Sequence, residues 1–272
     1  MAVHHSTCGT GAGAWLHAPT GNITPLSDDD FNTASSIQFD KPHIDQPTTC
    51  PRSTSTTTCR QPVNTHLDHA LTCQYGPHRV RRHNRLRDTL TTLIFEITGF
   101  RPLTEQLLIT AAPILTRTDP LTPADEDTTP LNRSDITFHT AGPTLHLDVM
   151  VTSATSLTAL AGTTNATNTP AHAATRAELH KRNKYHPHPV TPAILETHGR
   201  MGDTLLDFLR QLASTLPTPQ EQTTAYHHCI QQLSTTLQRS NAETLRAHHA
   251  STTAATTAAL AAGGPAAAAS TL

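Results

Sequence analysis

Lysine, aromatic residues and long apolar runs are all scarce in this 272-residue chain. Only Lys41, Lys181 and Lys184 of the 19 basic residues are lysine, so each lysine is a choice against arginine. Hydrophobic residues make up 36%, below the roughly 45–50% of ordinary globular domains, which excludes one dense core shared by every residue. No apolar run approaches ~18 residues, which excludes a membrane-spanning helix. The first twenty residues have no apolar stretch of secretory type, so no export signal is expected. A formal net charge of −2 excludes a basic field over the whole chain, and any nucleic-acid contact must be local. Gly-x-Gly occurs as the overlapping Gly9-Thr10-Gly11 and Gly11-Ala12-Gly13 with no strand before them, and there is no Gly-x-Ser-x-Gly elbow. Dinucleotide-dependent and serine-hydrolase chemistries are therefore not expected.

What the chain does have is threonine, about 50 residues of it, together with histidine, arginine and a cysteine cluster. Of Cys8, Cys50, Cys59, Cys73 and Cys229, three fall within residues 50–73 beside histidines. An odd count without an export signal points to a reducing compartment and to metal binding rather than a disulfide framework. Cys50-x8-Cys59-x9-His69-x3-Cys73 supplies four ligands of the type tetrahedral Zn²⁺ takes. The eight-residue gap is longer than the usual two to four, and a loop of free thiols is the other reading of the spacing.

The pattern predicts a mixed α/β chain in five parts. Residues 1–48 form a polar segment with a short pulse at Trp15 and a Ser27 cap before Phe31. Residues 49–78 are the Cys/His segment, and 79–216 a domain interrupted by a Thr/Pro-rich insertion at 111–132. Residues 217–250 contain a helix over 220–248, and 251–272 a low-complexity tail, disordered or fraying from a helix. Within the domain, Val80, Leu86, Leu90, Leu93, Ile94 and Ile97 recur at helical spacing over 79–98, with Gly99 as the stop. Strands are expected at 106–109, 135–139, 145–151 and 190–197, a loop at 158–170, and helices at 171–185 and 203–215.

Four groups of residues carry chemistry. Arg79, Arg81, Arg82, Arg85 and Arg87 crowd the first turns of the 79–98 helix, as a solvated face or a phosphate contact. A turn centred between Ala141 and Gly142 pairs residues whose numbers total 283, which sets Asp135 opposite Asp148, with Cβ atoms ~4.5–5.5 Å apart. Two such carboxylates hold a cation such as Mg²⁺ with phosphate oxygens, or lie apart on a wet strand face. Lys181 and Lys184 end the 171–185 helix, as helix-dipole partners or as compact charges aimed at a phosphate. Glu196 ends the next strand, as a third carboxylate for the metal or a surface residue.

In order and spacing these residues resemble the C-terminal region of site-specific non-LTR retrotransposon proteins that carry a restriction-like endonuclease. The matching positions are Cys50, Cys59, His69 and Cys73, then Arg82-His83-Asn84, then Asp135, Asp148 and Lys181-x-x-Lys184-Tyr185. Gly13-Ala14-Trp15-Leu16 with Phe31 resembles the segment before the family's zinc knuckle, and Glu196-Thr197-His198-Gly199 the strand and turn after its lysines. The likeness covers about residues 11–215. Ser134 stands where the family has proline, and Met150 where the general nuclease pattern has lysine, which this family takes from the following helix.

The resemblance implies a PD-(D/E)xK core, a small mixed sheet flanked by helices. It implies Mg²⁺-dependent nicking of DNA to prime reverse transcription, with Asp135, Asp148, Lys181, Lys184 and Glu196 catalytic. Arg79, Arg81, Arg82, His83, Asn84 and Arg85 would grip DNA, and the Cys/His unit would hold structural Zn²⁺. Implied partners are DNA, retroelement RNA and a reverse transcriptase in cis or trans, in the nucleus and away from membranes. The family's polymerase is absent from these residues, which fits a fragment, a decayed copy or a domesticated gene. The competing expectation is a non-catalytic zinc-dependent nucleic-acid-binding module or an inactive relic.

Overall fold

The computed structural model describes residues 2–19, 21–53, 57–108, 133–139, 143–155 and 169–261. The expected insertion at 111–132, most of the loop at 158–170 and the end of the tail from 262 lie outside the described residues.

Leu86, Leu90, Leu93 and Ile94 all face inward on α4 (His78–Thr98), as their spacing requires. Gly99 ends the helix at φ 73°, a left-handed conformation that glycine adopts freely, and its N–H bonds to the Phe95 carbonyl. The chain then builds β3 (Leu103–Leu107), β4 (Arg133–Phe138) and β5 (Leu145–Thr152), each antiparallel to the one before. Helix α5 (His172–Tyr185) carries the chain back to β6 (Val190–Glu196), which lies parallel to β5. The result is a four-stranded mixed sheet in the order β3-β4-β5-β6. Strand β3 starts three residues earlier than the spacing predicts, because this edge strand leaves Leu103 and Leu107 largely exposed and has no clean alternation.

One face of the sheet presents Ile136, Phe138, Leu147, Val149, Ala193 and Leu195 to the main core. Helices α4 and α6 (Asp203–Ala213) close that core, with Leu205, Leu206, Phe208, Leu209 and Leu212 from α6. The other face is covered by α5, where Ala174 and Ala177 meet Ile194. The layers are therefore helix, sheet, helix.

Helix α7 (Pro219–Ala261) is the spine, and runs eleven residues past the expected limit of 250, through the first part of the expected tail. It packs on α4, on α6 and on α2 (Asp28–Gln38). Ser27 caps α2 by accepting the Asp30 N–H, as expected. The polar N-terminal segment, which opens with α1 (Ala2–Thr7), is built into the fold. Trp15 is buried and meets Phe31 edge-on at 5.5 Å, Arg200 Nε donates to the His5 carbonyl, and Met201 N–H donates to that of Thr10. No described helix is long and apolar enough to cross a membrane.

Burial of His198 and His248 should make the fold less stable in acid. His198 and His248 are 4% and 1% exposed, and burial lowers the pKa of each, that of His248 to about 4 with Arg52 adding to the shift. Unfolded, both titrate near 6.5. Below that pH the unfolded chain binds more protons, so stability present above 6.5 is lost as the pH falls toward 4. The expected loss from His248 is on the order of 1–3 kcal/mol, at about 1.4 kcal/mol per pKa unit. Urea midpoints at pH 7.5 and 5 measure it. His248→Leu should fall less than wild type, and equal falls in the two proteins would remove this residue from the explanation.

Candidate active site and candidate metal centre

The β4–β5 ladder pairs Ile136 with Leu147, Thr137 with His146 and Phe138 with Leu145. This is the register in which Asp135 stands opposite Asp148. Backbone pairing ends at Ile136, and the Asp135 Oδ2 accepts the Val149 N–H at 2.6 Å instead. Asp135 and Asp148 are only 9% and 4% exposed, so they do not lie on a wet face. Helix α5 covers them.

Each acid has a basic side chain beside it. Lys181 Nζ pairs with Asp148 Oδ2, and the Tyr185 hydroxyl donates to Asp148 Oδ1. Lys181 and Tyr185 are four residues apart and so share one face of α5. Burial raises the Tyr185 phenol well above its ordinary pKa, and the Asp148 carboxylate adds to the shift, so the group remains a hydrogen-bond donor. Lys184 Nζ donates to the same hydroxyl at 3.1 Å. His83, from α4, places Nε2 3.2 Å from Asp135 Oδ1, and that hydrogen bond raises the histidine pKa against its burial.

The acids line an open cavity of about 580 Å³ between the first turns of α4 and the last turn of α5. Arg79, Arg133 and Lys184 also line it, and all three are exposed. Arg133 was not among the expected DNA contacts. Its signal was its place two residues before Asp135, on the same face of a strand. Asp135 and Asp148 come together as the spacing implied, and Lys181, Lys184, Arg79 and His83 join them in the cavity as the resemblance implied.

Other expected site residues take other partners. Arg82 borders the same cavity, but it is 3% exposed and its guanidinium donates to Asn241 Oδ1 at 2.7 Å and to the Leu71 carbonyl at 2.9 Å. It braces α4 against α7 and the Cys/His segment, so Arg82→Ala reports on folding rather than on a DNA contact. Arg85 pairs with Glu243, Asn84 is half-buried, and Arg81 is exposed. Glu196 does not join the acid pair. The register sets Asp148 beside Pro192 and Thr152 beside Glu196, so Glu196 lies four residues up the sheet, roughly 13 Å away. It is 2% exposed, and its Oε1 accepts the Ala174 N–H in the first turn of α5. Glu196→Ala should leave that buried N–H unpaired and cost ~1–3 kcal/mol, read from the urea midpoint. Divalent-cation binding at the acid pair should not move, and its loss would return Glu196 to the site.

Cys50, Cys59, His69 and Cys73 form the second constellation, with all four ligand atoms within 4.8 Å of one another. Cys50 and Cys73 bring their Sγ atoms to 3.8 Å, and Cys59 Sγ is 3.2 Å from His69 Nε2. The long Cys50–Cys59 gap is resolved by a chain that doubles back. Cys59 N–H donates to the Arg52 carbonyl, Cys50 N–H donates to Gln61, and Ser53 bridges Thr58. Strands β1 (Thr48–Thr49) and β2 (Pro62–Val63) pair beneath this loop, and α3 (Asp68–Thr72) supplies His69. Burial pushes the Cys50 thiol up to about 12, with the Cys73 and Cys59 thiols adding to it. A bound dication reverses that shift, and three sulfurs with one imidazole suit Zn²⁺. The chain thus contains a Cys₃His cluster able to hold a metal such as zinc.

No family model matches this chain, and no curated protein matches it.

Proposed function

We propose that this protein is a metal-dependent DNA endonuclease domain of the retroelement type. The carrying observation is the buried Asp135–Asp148 pair, with a lysine on one acid, in a cleft rimmed by unburied cations. The succession α4-β3-β4-β5-α5-β6 around a small mixed sheet supports a PD-(D/E)xK core. So does a site lysine that comes from the helix after the second acid, since position 150 is Met.

Asp135 and Asp148 are the residues that would hold Mg²⁺. Two carboxylates facing an open cleft are the hard oxygen donors this ion takes, with phosphate oxygens and water as its other ligands. Bound there, it would polarise a phosphate and lower the pKa of water. The chain's own residues orient the rest. Tyr185 orients Asp148, with which Lys181 also pairs, and His83 and the Val149 N–H fix Asp135. Arg79, Arg133 and Lys184 give cationic contacts for the phosphates of a strand in the cleft. The Cys/His unit, filled with zinc, stiffens the support of α4 through Arg82 and Leu71. This reading carries with it a nuclear site of action, with retroelement RNA and a reverse transcriptase as partners.

The Cys₃His cluster together with the basic cleft also supports a second reading, a zinc-dependent module that binds nucleic acid without cutting it. A supercoiled plasmid separates the two. Nicking with Mg²⁺ that EDTA abolishes is the expected result. Salt-sensitive binding without nicking would overturn the endonuclease in favour of the module.

A further inference from the structure

Asp148 has both oxygens occupied from α5, one by the Lys181 ammonium and one by the Tyr185 hydroxyl. Lys181 is not a mobile surface group; its side chain is 14% exposed and that of Asp148 5%. Asp135 has its own partners, His83 Nε2 and the Val149 N–H. Each acid thus has a basic partner from within the chain, Lys181 on Asp148 and His83 on Asp135. The second lysine is placed otherwise. Lys184 is exposed, lies over the Tyr185 ring at 4.5 Å, and donates to its hydroxyl rather than to a carboxylate.

From this geometry we infer that the Lys181 ammonium is a built-in counter-ion that competes with the divalent cation for Asp148, so that filling the site and releasing Lys181 are one event. This rests on the reading of Asp135 and Asp148 as the metal-holding pair. An ammonium at a carboxylate oxygen and a dication on that same oxygen repel strongly at a few ångströms, and partial burial leaves little water to screen them. The carboxylate must therefore exchange one for the other. The released ammonium stays tethered to α5 within the cleft, where an incoming phosphate is its next available anion. Metal entry thereby arms a lysine toward the substrate, and DNA in the cleft favours metal binding by drawing Lys181 off Asp148. The two lysines then have separate duties: Lys181 answers to the metal, and Lys184 to Tyr185 and the substrate.

Mn²⁺ titration followed by electron paramagnetic resonance tests this on the full chain without DNA. Lys181→Met should bind Mn²⁺ at least about tenfold more tightly than wild type, as expected on removing a like charge a few ångströms from the ion. Lys181→Arg, which keeps the charge, should stay near wild type, and Lys184→Met should shift little. Asp148→Asn in the Lys181→Met background should lose the gain, which locates the ion. Adding a short uncleavable duplex should tighten Mn²⁺ binding in wild type more than in Lys181→Met. An unchanged or weaker affinity in a Lys181→Met protein that melts like wild type overturns the inference. So does absence of Asp148-dependent Mn²⁺ binding in both wild type and Lys181→Met. If the affinities move as stated while no variant or wild type nicks a plasmid, the counter-ion role holds and the endonuclease reading alone falls. If wild type nicks and Lys181→Met gains no affinity, the reverse is true.

Discussion

Asp148→Asn will lower Mg²⁺-dependent nicking by about 10³-fold or more while leaving DNA affinity equal to wild type or slightly higher. The size follows from losing several kcal/mol of charge stabilisation at ~1.4 kcal/mol per factor of ten. The sign on binding follows from the cleft. Asp148 is an anion in a cavity whose exposed cations, Arg79, Arg133 and Lys184, would meet phosphates. Removing one negative charge there relieves repulsion. Asparagine is the right probe because it keeps the side-chain volume and an oxygen that still accepts from Tyr185, whereas alanine would leave a cavity and turn the hydroxyl to the Arg133 carbonyl alone, confusing folding with function. Lys181 loses its ion pair in this variant, but it borders the cavity and can turn toward solvent. Asp135→Asn should behave alike, because an amide oxygen can still take the Val149 N–H. Nicking by either variant within tenfold of wild type would remove the acid pair from the chemistry.

The acid pair was legible because the hairpin register was. Ile136 and Phe138 on one strand and Leu145 and Leu147 on the other must face the same core, and a slip of one residue would turn them all outward. That constraint is local and two-stranded, so arithmetic on residue numbers suffices. Glu196 was not legible for the opposite reason. It sits on a parallel strand buried on both faces, and its height along the sheet is set by the length of α5 and the segment before it, which no alternation encodes. The role of Arg82 was readable and missed. Positions 82, 86, 90 and 93 share one helical face, so an arginine there belongs to the interior of α4 rather than to its surface. The spine helix α7 hid behind its polarity. Ser234, Gln238, Asn241 and Thr244 resemble a solvated surface in sequence, yet all are buried. Hydrogen bonds take up part of that polarity: Asn241 accepts from Arg82 and donates to the Thr197 carbonyl, and the Thr244 hydroxyl donates to the Ser240 carbonyl, while Ser234 Oγ finds no partner among the described residues.

Those same bonds determine what zinc removal should do. The Cys/His segment has its own small core of Val63, Leu67, Ala70 and Leu71, with Ile37 from α2 and Leu245 from α7 packed into it. Arg52 bonds to Ala70 and Thr244, and Arg82 to Leu71 and Asn241. Loosening the four ligands therefore frees one support of α7 and one of α4, and the effect should reach the whole fold rather than a detachable module. Purified protein should carry one zinc per chain. At free zinc about a thousand times its Kd, binding contributes about 4 kcal/mol. Chelation should then lower the melting temperature by roughly 8–16 °C, at about 2–4 °C per kcal/mol for a chain of this size. Cys73→Ser should lose the metal and melt like the chelated protein, with no further response to chelator. Cys8→Ser, an exposed thiol outside the cluster, should retain both metal and melting temperature. A chelated protein that melts where the untreated one does would leave Cys50, Cys59, His69 and Cys73 as four free side chains. DNA binding gives the second readout. Because Arg82 links this segment to the helix that carries Arg79 and His83, zinc loss should weaken DNA binding even though no cluster residue lines the acid cleft.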